Sequence, residues 1–289
     1  NLLITEASAD YELLDCGDGE KLERYGDYVF ARPDPQAIFS KSLPVEEWKI
    51  ADAVYNRAGN SGKWKINTKI SETWDVSFDG LKFSLELLPS KHLGVFPEQS
   101  AQWKWLEGKV ESEKLKVKSG IQVLNLFGYT GGATLACTRA GADVCHVDAS
   151  KFAVDLAHKN LDSSGLGDKP VRFIVDDVRK FVEREIKRGK KYDVVVMDPP
   201  VYGKGNKGEV WKIEEDLQPL LLRIKEILTL DPIAIVLNGY ASTYSRLTYG
   251  EMLQVATKSL KGKVSSGELA IKDSSGKLLS CGIFSRFEK

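Results

Sequence analysis

Cysteine, histidine and methionine are scarce in this chain, numbering four, three and two among 289 residues. Cys16, Cys137, Cys145 and Cys281 show no CxxC spacing, which argues against zinc, and a chain this long has little need of a disulfide framework. His92, His146 and His158 share no ligand spacing either, so no metal is expected. An excess of charge of one sign is also missing, with 41 basic side chains against 41 acidic. That speaks against coating nucleic acid through bulk charge, but leaves room for a local basic groove. No apolar run approaches the roughly 18–20 residues that span a bilayer. The opening Asn1-Leu2-Leu3-Ile4-Thr5 lacks the basic flank and apolar core of a signal peptide. The expectation is a cytoplasmic protein with reduced thiols and no membrane association, monomer or homodimer.

What is present divides into two textures. Residues 1–90 read as a small β-rich domain of short strand-like pieces broken by turn signals. Asp15-Cys16-Gly17-Asp18-Gly19 and Arg32-Pro33-Asp34-Pro35 are turn chemistry. Trp74–Phe78 and Leu81–Leu85 alternate around Asp79-Gly80, a hairpin signal. One helical insertion is expected near Val45–Arg57. Residues 91–289 form the second domain. From about residue 118 strands alternate with helices: strands at Ile121–Leu126, Asp143–Val147, Val171–Val175, Asp193–Met197 and Ile233–Leu237, helices at Ala133–Ala140, Lys151–Ser163, Val178–Arg188 and Asp216–Leu228. Short apolar strands separated by helices predict a doubly wound α/β fold with a mostly parallel sheet. The tail reads as two strands joined by a Ser-Gly turn.

Chemistry concentrates at the ends of the predicted strands. Phe127-Gly128-Tyr129-Thr130-Gly131-Gly132 follows the first strand and opens a helix, where α/β sheets bind ligands. Glycines there let backbone approach a ligand and leave helix amides free to donate. Asp148 ends the second strand, 20 residues after Gly128, and a carboxylate there suits two ribose hydroxyls. This fits any nucleoside cofactor. The spacing is G-x-x-G-G, however, not the G-x-G-x-x-G of a dinucleotide enzyme, and no P-loop Lys-Ser/Thr follows. A purely structural glycine turn is the plainer alternative. After the third strand, Asp176-Asp177-Val178 offers an acid for an adenine amino group and Val178 for its ring. Asp176 is expected to serve as a helix N-cap. The fourth strand runs into Asp198-Pro199-Pro200-Val201-Tyr202, whose prolines fix an extended backbone facing the same crevice.

Together, Asn125–Gly132, His146-Val147-Asp148-Ala149-Ser150 and Met197-Asp198-Pro199-Pro200 closely resemble class I S-adenosylmethionine-dependent methyltransferases. Within them the set looks like the bacterial 23S ribosomal RNA large-subunit methyltransferase group. Lys91–Gln99 resembles that group's upstream Gly-aromatic-acid-Gln motif, and over the first 90 residues the likeness is weak. The resemblance implies a Rossmann-like seven-stranded sheet ending in an antiparallel hairpin, with S-adenosyl-L-methionine as cofactor. It implies that Phe127, Gly128, Tyr129, Thr130 and Gly131 hold the methionine part, with Asp148, Ala149 and Ser150 at the ribose. Asp177 and Val178 would meet adenine, Phe96 and Gln99 would close the pocket, and Asp198, Pro199, Pro200 and Tyr202 would line the transfer site.

Methyl transfer is an in-line displacement that needs orientation more than covalent help. Cytosine carbon-5 chemistry would need a thiolate nucleophile. None stands in Asp198–Gly203 or Leu237–Ser242, and Cys137 and Cys145 read as ordinary buried thiols. Cytosine carbon-5 chemistry is therefore disfavoured, and the leading expectation is transfer to a base nitrogen, in ribosomal RNA as the resemblance implies. Tyr202 could stack on a base, and the lysine- and glycine-rich 203–212 loop with Trp211 would suit a lid touching phosphate and base. A solvated loop is the plain alternative there. A non-RNA substrate, a nicotinamide-dependent oxidoreductase and a catalytically silent relative are the competing readings.

Overall fold

The computed structural model describes residues 1–58, 61–116, 120–205, 208–240 and 244–289. It divides into two units, the first holding Leu3–Ser100 and Leu269–Cys281, the second Asn1–Leu2, Ala101–Glu268 and Gly282–Lys289. The division expected at residues 90 and 91 falls inside the first unit. The tail turn belongs to that unit because Lys277 Nζ donates to Asp15 Oδ1 at 3.0 Å and to the Cys16 carbonyl at 2.6 Å.

The chain opens with β1 (Leu2–Thr5), then β2 (Tyr11–Gly17), β3 (Glu20–Tyr25) and β4 (Tyr28–Pro33), helix α1 (Val45–Trp48), β5 (Ala53–Ala58) and β6 (Ser61–Ile66). Strands β2 to β6 form a five-stranded sheet in chain order, parallel only between β4 and β5. The hairpin β7 (Trp74–Phe78) and β8 (Leu81–Leu85) turns at Asp79-Gly80 as expected, both residues having positive φ. Between β2 and β3 the turn is Asp18-Gly19 alone, since Asp15–Gly17 continue the strand. The helix expected near Val45–Arg57 is corrected to a single turn. Ala53–Ala58 is strand, because its backbone pairs with β4 on one side and β6 on the other, and pairing outweighs local pattern.

The second unit continues with α2 (Ser100–Lys114), β9 (Gln122–Leu126), α3 (Gly132–Arg139), β10 (Asp143–Asp148), α4 (Lys151–Ser163), β11 (Val171–Val175), α5 (Val178–Arg188) and β12 (Val194–Met197). A short hairpin follows, β13 (Tyr202–Lys204) and β14 (Val210–Lys212), then α6 (Ile213–Ile224), β15 (Ala234–Tyr240), α7 (Arg246–Thr257), β16 (Lys263–Lys272) and β17 (Leu278–Glu288). The large sheet runs β1-β16-β17-β15-β12-β9-β10-β11. Strands β9 to β12 and β15 are parallel, and β17 runs antiparallel to β15. The seven expected strands are all present and β1 adds an eighth at the edge.

The central strands are buried along their length, and successive residues serve opposite faces. Leu124, Leu126, Val195, Met197, Ile235 and Leu237 pack with α5, α6 and α7. Val123, Val194, Val196 and Val236 pack with Leu106 and Val110 of α2 and Cys137 of α3. The order of strands reverses at β9, so the crevice between β9 and β12 is the topological switch point where such sheets bind ligands. No helix among the described residues is long and apolar enough to cross a membrane.

Candidate functional site

Strand register brings the expected residues to one level. Leu126 at the end of β9 pairs with Val147 on one side and Met197 on the other. The next residue along each strand is Phe127, Asp148 and Asp198. With neighbouring strands ~4.8 Å apart, the two aspartates leave the sheet about 10 Å from each other, flanking the glycine loop.

The loop is tightly wound. Phe127 and Tyr129 have φ of 55° and 47°, and Gly131 has 96°. The Gly128 N–H donates to the Val147 carbonyl at 3.1 Å, and the Gly131 N–H returns to the Gly128 carbonyl at 3.0 Å. The Thr130 carbonyl accepts from Asn160 Nδ2 at 2.9 Å. Helix α3 starts from Gly131 without a side-chain cap, so its first amides are left to whatever lies above the loop.

Beneath the loop runs a buried polar chain that the sequence did not disclose. Asn125 Nδ2 donates to Thr134 Oγ1 at 2.9 Å, and Thr134 Oγ1 lies 2.9 Å from His146 Nδ1. Because Thr134 accepts from Asn125, its hydroxyl hydrogen is available to Nδ1, which leaves the ring proton on Nε2. Burial holds this imidazole neutral, with its pKa pushed down to about 4, opposed only by the Tyr129 backbone. A Cβ at Gly128 would come within 2.4 Å of that ring, so only glycine fits there. Gly132 has the same relation to the Trp103 ring of α2, at 2.2 Å.

Asp148 accepts from the Tyr129 N–H at 2.9 Å and from the Ser150 N–H at 2.8 Å. Burial raises its pKa, and these backbone bonds work the other way. The Ala149 amide adds a third backbone bond, and of the carboxylate's roughly four acceptor sites one is left for a further donor. Ala149 is half-buried beside it. The Ser150 side chain caps α4, accepting from the Ala153 N–H at 3.2 Å.

At the end of β11 the expected N-cap was one residue out. The cap of α5 is Asp177, whose Oδ1 accepts from the Arg179 and Lys180 amides at 2.9 and 3.2 Å; Asp176 instead pairs with Arg184. Burial would raise the Asp177 pKa, but Arg179 and these amides bring it below the usual carboxylate range. Val178 is buried in the core beside Phe181.

Pro199 is buried and Pro200 exposed. The Pro200 carbonyl accepts from Trp211 Nε1 at 2.7 Å, and the Val201 carbonyl from the Ile213 N–H at 3.0 Å. Tyr202 is 54% exposed and opens the hairpin, paired with Lys212. The expected lid is therefore a β-hairpin over its described part, residues 206–207 lying outside the described residues. Trp211 is not a surface for a base: it is 5% exposed, edge-on to Phe127 at 4.8 Å, and so braces the glycine loop and the Pro-Pro loop at once. A second aromatic missed in the sequence is Tyr249 of α7. Its ring lies across Gly239, where a Cβ would meet it at 2.5 Å, and burial and the Asp198 charge push its pKa up. Cys137 and Cys145 are buried, and burial raises both, Cys137 to about 12. Within 237–242, residues 241 and 242 lie outside the described residues. Phe96 and Gln99 belong to the first unit, Phe96 edge-on to His92 at 5.0 Å and Gln99 buried at the end of a 3₁₀ turn. Among the described residues no three metal-ligating side chains come together.

The model of one family, S-adenosylmethionine-dependent methyltransferases, matches residues 32–241, well over half the chain. The chain belongs to that family. It is similar to the crystal structure of an S-adenosylmethionine-dependent methyltransferase from Agrobacterium tumefaciens, with 38% identity and a TM-score of 0.94 over 100% of this chain and 93% of that one. It is 39% identical over 90 residues to a protein named ribosomal RNA large subunit methyltransferase I from Aeromonas salmonicida, covering 31% of this chain and 23% of the relative. The same-named protein of Photobacterium profundum is 33% identical over 132 residues, 45% of this chain and 31% of the relative. The chain thus spans about a third or less of the curated relatives it matches.

The family's methyl donor, S-adenosylmethionine, fits the residues present. The uncapped start of α3 suits a carboxylate, and the remaining acceptor capacity of Asp148 suits a ribose hydroxyl.

Proposed function

We propose that this methyltransferase methylates a base nitrogen in RNA, ribosomal RNA being the substrate named for its relatives, and that it works in the cytoplasm. The observation that carries this reading is the common level of Phe127, Asp148 and Asp198 on three adjacent strands. The donor, when bound, supplies an activated methyl group for in-line displacement. The chain's own residues orient. Gly128, Tyr129, Thr130 and Gly131 hold the methionine end with Phe127 behind them, and Asp148, Ala149 and Ser150 hold the ribose. Asp177 and Val178 border adenine.

Asp198 and the Pro199 carbonyl accept hydrogen bonds from the acceptor's amino group or ring N–H, which orients the nitrogen toward the methyl group, and the proton that nitrogen gives up on methylation passes to the Asp198 carboxylate and on to solvent. The Pro200 and Val201 carbonyls are already engaged, which leaves Pro199 to face the substrate. Tyr202 gives an exposed ring on which a base can stack. The N-terminal β-rich region, residues 1–90, helps to hold RNA, and residues 91–289 bind the donor and carry out transfer.

Calorimetric titration with S-adenosylhomocysteine, followed by transfer of labelled methyl from S-adenosylmethionine to ribosomal RNA, tests this. Asp148→Ala should weaken cofactor binding at least tenfold, about the worth of a charge-assisted hydrogen bond. Asp198→Ala should leave that affinity close to wild type and lower turnover about a hundredfold. Equal cofactor affinity in wild type and Asp148→Ala would displace the ribose site, and binding without label on any RNA would remove the substrate assignment.

A further inference from the structure

Resting on the RNA reading, we infer that the outer face of the β5–β6 hairpin is a phosphate-contact surface through which the N-terminal unit holds RNA. From residue 53 to residue 71 the chain has four basic residues, Arg57, Lys63, Lys65 and Lys69, and no acidic one. At the chain's own average a stretch this long would hold two or three carboxylates. The neutrality of the whole chain therefore hides a local segregation of sign.

Structure puts two of these charges, Lys63 and Lys65, on one face of the hairpin, while Arg57, two residues from Tyr55, shares the face of Trp64. Strand β6 is at the edge of its sheet. Its Trp64 turns inward, edge-on to Phe30 at 5.9 Å and Tyr55 at 5.2 Å, with its indole N–H on the Leu88 carbonyl at 2.8 Å. Alternation along a strand then sends Lys63 and Lys65 to the opposite face, about 7 Å apart. Both are exposed, as are Arg57 and Lys69. Among the described residues none of the three lysines has an ion-pair partner, whereas twelve other lysines do, including Lys21, Lys41 and Lys180. Two unpaired, exposed ammonium groups side by side on one face of an edge strand, with a third lysine just beyond it in the chain, suit a polyanion backbone. Such contacts position nucleic acid without reading its sequence. Lysines also protect edge strands from pairing with another copy, but that role is served by either sign of charge and does not call for the exclusion of acids over the whole segment.

The test is fluorescence anisotropy of the full chain with a labelled single-stranded RNA oligonucleotide and a labelled RNA hairpin, across 50–200 mM salt. Each phosphate contact adds about 0.7 to the slope of log affinity against log salt for single strands. Lys63→Gln/Lys65→Gln should lower that slope by about 1.4, equivalent to roughly a sevenfold loss in salt sensitivity across the range. Lys63→Arg/Lys65→Arg should keep the wild-type slope, and S-adenosylhomocysteine affinity should be equal in all three proteins. RNA binding with an unchanged slope in the glutamine variant overturns the surface and leaves the substrate reading standing, as does self-association of that variant in the ultracentrifuge without a change in RNA affinity. A wild-type protein that binds S-adenosylhomocysteine but neither RNA overturns both.

Discussion

Replacing Gly128 by alanine tests the architecture of the cofactor loop through a single methyl group. Gly128 does not occupy the left-handed region, so alanine meets no backbone strain there. It meets the His146 ring instead, at 2.4 Å from Cε1 and 2.6 Å from Nδ1. Real Cβ atoms do not approach so closely, and the ring is held by Thr134 at 2.9 Å, so the loop has to rise. Overpacking of this kind costs about 1–3 kcal/mol. Because Gly128 bonds both the Val147 carbonyl and the Gly131 amide, its displacement also moves the start of α3. Gly128→Ala should therefore lose about 2 kcal/mol of stability and bind S-adenosylhomocysteine at least tenfold more weakly.

The decisive comparison adds His146→Ala. Alone, that change leaves a cavity and deprives Thr134 of a partner, a cost of about 2–3 kcal/mol. In the double variant the new methyl enters the emptied space, so the combined loss should fall short of the sum by at least about 1 kcal/mol. Urea unfolding of the four proteins measures the coupling, and titration with S-adenosylhomocysteine should show part of the lost affinity regained. Losses that add to within about 0.5 kcal/mol would mean the two residues do not touch, and the account of the loop would fall.

Three further outcomes follow from the same geometry. Asp177→Ala should lower stability by about 1 kcal/mol through loss of the α5 cap, with Asp177→Asn restoring most of it in thermal unfolding; an asparagine variant as unstable as the alanine one would deny the cap. His146 titrates at about 4 in the fold against 6.5 unfolded, so the unfolded chain takes up the proton first and stability is lost as pH falls from 6.5 towards 4. That contribution amounts to about 3 kcal/mol, and the fall in melting temperature over this window should be shallower in His146→Gln. Trp211→Phe keeps the ring contact with Phe127 but loses the bond to the Pro200 carbonyl, so kcat should fall with little change in cofactor affinity; a fall in cofactor affinity alone would place its main effect on the glycine loop.

The parallel sheet was legible because its strands are unbroken apolar runs, Val194–Met197 being the plainest, and because buried parallel strands leave no room for alternation. Strands β5 and β6 were not, since Ala53–Ala58 and Ser61–Ile66 owe their form to partners far along the chain. The N-cap of α5 could have been found: with Val178 as the first helical residue, the cap is the residue just before it, Asp177.

The site was legible to the extent that it is written in backbone. Phe127, Asp148 and Asp198 each follow a strand residue of matching register, Leu126, Val147 and Met197, and strand order brings them to one level without any help from side-chain packing. Trp211, Tyr249 and His146 act through packing, and sequence spacing gives no hint of that. Trp211 lies 84 residues from Phe127, so only the folded hairpin explains why a tryptophan in a lysine- and glycine-rich loop is buried. The same distinction explains why the glycines carry more information than they seem to. Gly128, Gly132 and Gly239 each leave space for a large ring, of His146, Trp103 and Tyr249 respectively, and a sequence shows the missing side chain but not the ring that takes its place. A glycine at the end of a buried parallel strand is thus a statement about a distant aromatic as much as about a ligand, and separating the two meanings requires the fold.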